Sequence, residues 1–140
     1  MNTSTLKRYT PFILLAGDWL ALLLFVAVGQ RNHDLVNAAH PLRRWLLVTA
    51  CFAAPWAMAG WRLGAFPRGD AATARTVLAH ALNTWLVAAP FGIVLRAFAL
   101  GQVGVARNFF IVGLVFGGLF LGAWRGVFWL AGRWASPPDR

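Results

Sequence analysis

The chain has 140 residues, 59% of them hydrophobic, with a mean hydropathy of +0.62, 12% charged residues and no glutamate. That is about half the charged share of ordinary soluble domains, which excludes a conventional water-soluble fold. The net charge is +9, but the arginines fall singly or in pairs between apolar stretches; this pattern points to anionic lipid headgroups as the partner and away from nucleic acid, which needs a continuous basic face.

A polar leader with Lys7 and Arg8 precedes the first apolar stretch, PFILLAGDWLALLLFVAVG at positions 11–29. Its nineteen residues match the roughly 20 an α-helix needs to cross a bilayer. Eleven of them are Leu, Ile, Phe or Val. At roughly −0.3 to −0.6 kcal/mol each, they outweigh the roughly +2.5 to +3.5 kcal/mol cost of the single charge, Asp18. A signal peptide is disfavoured because the apolar run is too long for a signal core and carries that acid. The loop that follows holds Arg31, His33, Asp34 and His40. Two histidines on a Pro-containing loop lack the geometry of a metal site, and no metal or other cofactor is expected. Helix 2 is placed at about 45–61, uncharged between Arg44 and Arg62, and a Gly- and Pro-containing link leads on. Helix 3 occupies about 76–95, between Arg75 and Arg96, and helix 4 about 108–132. The stretches are apolar on all sides, without the alternation of a β-barrel strand. The expected fold is all-α: one polytopic membrane domain over residues 1–140, a four-transmembrane-helix bundle with both termini on the same side.

Orientation follows lysine and arginine. Seven fall on the side of the termini (Lys7, Arg8, Arg62, Arg68, Arg75, Arg133, Arg140) and five on the other (Arg31, Arg43, Arg44, Arg96, Arg107). This favours cytoplasmic termini in a bacterial inner membrane by a margin small enough for dual insertion. Pro55 and Pro90 each remove a helical donor and free the carbonyls of Cys51 and Leu86, which a neighbouring helix must then satisfy. Gly118, Gly122 and Gly126 recur at steps of four in helix 4 and are expected to be packing positions, within the bundle or in a homo-oligomer. Of the eight tryptophans, Trp45 and Trp61 at the ends of helix 2 and Trp124, Trp129 and Trp134 near the end of helix 4 suit interfacial belts. Cys51 is the sole cysteine, which leaves no intramolecular disulfide.

No phosphate-binding glycine loop, zinc helix or nucleophile elbow is present, so an enzyme is not expected. The polar residues inside the apolar stretches carry the functional signal. Counted at 1.5 Å per residue from the flanking charges, Asp18 lies about 15 Å deep, Asn83 and Arg125 about 12 Å, and His80 about 8 Å. All four lie on the side of the termini. A membrane carboxylate normally faces the bundle interior and has a partner. Arg125 is the expected partner, with Asn83 or His80 as further donors. The competing expectation has Arg125 reaching the headgroups beside Trp124.

The residues and their order resemble an uncharacterised family of small four-helix bacterial membrane proteins, a domain of unknown function (DUF3054-like). Asp18, Phe25, Gly29, Arg31 and His33 carry the resemblance in helix 1 and its exit. Pro55 and Gly60-Trp61 carry it in helix 2, Pro90, Gly92, Leu95 and Arg96 in helix 3, and Gly122, Trp124 and Arg125 in helix 4. Trp56 stands where phenylalanine is expected. The resemblance implies importance for Asp18, Arg125 and an opposite-face polar group of Arg31, His33 and Arg96, and transfers no activity. Two functions follow. One is a structural or accessory membrane subunit, with a homo-oligomer or larger membrane complex as partner. The other is a small proton- or ion-coupled transporter using Asp18, similar in plan to the small multidrug exporters.

Overall fold

The computed structural model describes residues 3–32, 40–66 and 74–135, with side chains over 10–31, 40–66 and 75–132. It is all-helical over these residues: α1 (Thr3–Asn32), α2 (Pro41–Arg62), α3 (Ala74–Ala99) and α4 (Arg107–Ala135). His33, Asp34, Arg68 and Arg140 lie outside the described residues, as do the side chains of Lys7, Arg8, Arg133 and Trp134.

Each helix outruns the apolar stretch that announces it. Apolarity marks what lipid demands, whereas the backbone ladder continues through the polar flanks at both ends. At α2 the chain enters through His40 in the left-handed region, φ 58°, and Pro41 opens the helix. A proline there costs no hydrogen bond, because the first-turn N–H groups have no helical acceptor.

The helices form a four-cornered bundle. α1 packs on α2 and α4, α3 packs on the same two, and neither diagonal pair packs together. Neighbours are antiparallel: Trp45 of α2 meets Leu23 of α1, and further along α2, Trp56 meets Asp18. α1, α3 and α4 are long and apolar enough to cross a membrane, over Thr10–Arg31, Arg75–Ala99 and Arg107–Gly132. α2 does not meet that standard, since Arg43, Arg44 and Arg62 shorten its uncharged stretch and alanine and glycine dilute it. Its 22 residues nonetheless extend about 33 Å, antiparallel to α1.

The outside of the bundle is apolar. Phe98 is 85% exposed, Met58 73% and Phe91 64%, and large apolar side chains on all four helices share this exposure. A surface apolar on every side suits lipid and not water. The inside is aromatic. Phe25, Phe52, Trp85, Trp56 and Phe66 form a chain of ring contacts with centroids 5.6 to 6.4 Å apart.

Close approach is set by a glycine pattern other than the one expected. A Cβ on Gly17 of α1 would stand 1.9 Å from the Trp124 ring, and one on Gly117 of α4 2.1 Å from the Trp85 ring. A Cβ on Gly92 would stand 2.6 Å from the Phe52 ring and 3.2 Å from the Cys51 carbonyl oxygen, the one that Pro55 frees. Of the three expected packing glycines, Gly118 lies near Trp85, at 3.2 Å, but Gly122 and Gly126 meet nothing within 4 Å. The step of four is responsible. Four residues turn about 400°, so each step drifts about 40° around the helix, and Gly126 is carried off the face that touches α3.

The tryptophans correct a second expectation. Trp45 donates to the Leu23 carbonyl at 2.9 Å and Trp85 to the Leu114 carbonyl at 2.8 Å, and Trp124 covers Gly17. Trp45 and Trp124, expected at the interfaces, thus join neighbouring helices, as Trp85 does, whereas Trp61 is 57% exposed.

Candidate functional site

Leu14, Asp18, Ala21, Leu22 and Phe25 share the inward face of α1, at helical spacing. Asp18 is thus committed to the interior by its apolar neighbours. Arg125 is committed in the same way by Leu121, one turn earlier on α4. Both side chains have zero exposure.

The two form a forked ion pair. Arg125 Nε donates to Asp18 Oδ1 at 2.9 Å and Nη2 donates to Oδ2 at 2.5 Å. The third guanidinium nitrogen, Nη1, donates to the Ala65 carbonyl at 2.6 Å. Trp56 Nε1 donates to Asp18 Oδ2 at 3.1 Å. The guanidinium carbon also lies 5.4 Å from the Phe66 ring centroid and 5.9 Å from that of Trp56, within cation–π range. One constellation therefore joins α1, α2, α4 and the start of the α2–α3 link. Both carboxylate oxygens are engaged, and so is every nitrogen of the guanidinium.

Arg125 does not reach the headgroups, and the donors expected from α3 take no part. Asn83 is exposed. His80, also exposed, meets the Leu63 carbonyl through Nδ1 at 3.1 Å. The cause is the packing order: α3 sits diagonally from α1, so equal depth does not bring its polar groups to Asp18. Trp56 and the Ala65 carbonyl take those places. Trp56 was legible only as the departure from an expected phenylalanine, and a backbone carbonyl leaves no trace in a sequence. Thr84 Oγ1 is buried on α3 with no partner among the described residues.

The opposite-face group is dispersed. Arg31 is exposed at the end of α1. Arg96 donates to Gln102 Oε1 at 2.9 Å and lies 4.0 Å from the Phe109 ring centroid. It borders a cavity of about 300 Å³ where the end of α1, the start of α2, the end of α3 and the start of α4 converge. Among the described residues, no three His, Cys, Asp or Glu side chains stand together as a metal site would need.

No curated protein and no solved structure matches the chain. A family profile, described as Protein of unknown function (DUF3054), matches residues 15–128. That stretch runs from the first turn before Asp18 to just beyond Arg125, through all four helices. The chain, a small all-helical protein with membrane-span-like helices, therefore belongs to the DUF3054 family.

Proposed function

We propose that the chain is a structural or accessory subunit of the bacterial inner membrane, multi-pass with cytoplasmic termini, and not itself an enzyme. The Asp18–Arg125 pair is its internal lock. One observation carries this reading: a carboxylate and a guanidinium at zero exposure, each polar atom already engaged by protein. A group that carries a proton or an ion must exchange partners during its cycle. Here the acid is enclosed and held from two neighbouring helices at once, by Trp56 of α2 and Arg125 of α4. Anionic headgroups outside and a homo-oligomer or larger membrane complex are the partners that suit an apolar exterior with arginines at its ends.

The transporter reading needs Asp18 to open to one side. The two readings separate in liposomes. The purified protein and the Asp18→Asn/Arg125→Gln double variant are reconstituted under a pH gradient with an internal pH dye. The lock reading expects no gradient-driven flux from either protein, and extraction in mild detergent that leaves both in the same assembly by native mass spectrometry. Flux from the wild type that the double variant loses would overturn the lock in favour of transport.

A further inference from the structure

The cavity at the far end of the bundle is independent of the ion pair. Its walls are mainly apolar, among them Phe25, Val48, Phe52 and Val112, yet Arg44, Arg96 and Gln30 also line it. The volume, about 300 Å³, is at the lower end of small-ligand sites. That is room for one small ligand.

The charged groups at this cavity are both cationic, Arg44 and Arg96, and its other polar side chains are the amides of Gln30 and Asn108, which can donate as well as accept. Arg96 feels the like charge of Arg44. Asp18 is the sole carboxylate among the described residues, and it is taken by Arg125. Gln30 Nε2 is buried with no hydrogen-bond partner among the described residues. A buried amide left without an acceptor is costly, because it has given up water and gained nothing in return. Two guanidinium groups and a spare amide stand beside an apolar chamber, with no anion to meet them among the described residues. The chamber beneath is too apolar for a headgroup of glycerol and phosphate, and too small for two acyl chains.

We propose that this cavity binds the carboxylate end of a single short acyl chain, with Arg44, Arg96 and Gln30 around the carboxylate and the chain lying among Phe25, Val48 and Phe52. Octanoate is a small ligand of this class. Gly29 also lines the chamber, and a Cβ built on it meets nothing within 4 Å. A side chain there therefore has open space to start into.

The probe is labelled octanoate, measured by equilibrium dialysis against the full chain in nanodiscs of zwitterionic lipid. Octanol, acetate and inorganic phosphate serve as comparisons. The expected result is saturable octanoate binding, at least tenfold tighter than octanol, with none for acetate or phosphate. Arg44→Gln should weaken octanoate at least tenfold and leave octanol unchanged. Gly29→Phe should abolish both, at unchanged melting temperature, so that the conclusion does not depend on an arginine variant that fails to fold. Equal binding of octanol would reduce the site to an apolar void. Phosphate binding as tight as octanoate would make it an anion site without a chain. Octanoate binding lost in discs of anionic lipid and kept in zwitterionic ones would assign the site to a lipid headgroup. Each of these three outcomes overturns the proposal, as does octanoate binding that Gly29→Phe leaves intact.

Discussion

Breaking one half of the Asp18–Arg125 pair should be far more harmful than removing both. In Asp18→Asn the side chain keeps one acceptor for Arg125 Nε but turns an amide N–H₂ toward Nη2, so two donors face each other. The guanidinium then holds its charge at zero exposure with two neutral acceptors, the amide oxygen and the Ala65 carbonyl, and no counter-charge. In Arg125→Gln the carboxylate keeps the Trp56 N–H and has no counter-charge. Loss of one partner from a buried pair costs about 3–5 kcal/mol, because the other charge stays behind. The double variant holds two neutral amides of nearly unchanged volume and should recover most of that loss. The coupling energy should reach about 3 kcal/mol, the upper end for residues in one network. Reversible unfolding of all four proteins in mixed micelles, followed by near-ultraviolet circular dichroism of the core tryptophans, measures it. A coupling below about 0.5 kcal/mol, the range of independent sites, would refute the pairing and with it the lock.

Three further outcomes follow from the packing and the charge count. Gly17→Val should destabilise by at least about 1–3 kcal/mol, since its Cβ would fall inside the Trp124 ring, while Gly122→Ala should lie within about 0.5 kcal/mol of wild type; the same unfolding assay ranks them, and equal effects would contradict the α1–α4 contact. Trp56→Phe keeps the ring but deletes the N–H to Asp18 Oδ2, and should cost about 1.5–3 kcal/mol as a hydrogen bond to a charged group; a neutral result would remove Trp56 from the constellation. Reporter fusions at Gly69 and Arg140 should read cytoplasmic and one at Asn37 external, following the lysine and arginine bias; the reverse pattern would invert the orientation, and signal from both sides at every site would establish dual insertion.

Much of the scaffold was legible because lipid makes a single demand, apolarity over a fixed length, and three of the four stretches state it openly. The Asp18–Arg125 contact was legible because depth along a helix follows from counting residues at 1.5 Å each. Depth is only one coordinate. Asn83 has the right depth and the wrong corner of the bundle, and His80 is turned toward the chain link at Leu63. Position around the helix axis also separated Gly117, pressed on Trp85, from Gly122, which meets nothing. In a helix apolar on all sides, the periodicity that would fix this angle is weak. Trp45, Trp56 and Trp85 were hidden for a different reason. An indole is equally at home in an interface and in a core, and its N–H declares a partner only once the neighbouring helix is in place.

The forked pair also ties the molecule to the order of its own synthesis. Asp18 and Arg125 are 107 positions apart, in the first helix and the last. At about 5–20 residues per second, an interval of about 5–20 s separates the appearance of the acid from that of its partner. During that interval helix 1 holds a polar group that no other described charged side chain meets. A chain that stops anywhere short of Arg125 keeps that acid unmatched within its apolar core. Closure of the pair thus marks the arrival of the fourth helix, and an unfinished copy carries in Asp18 a polar group without its counter-charge.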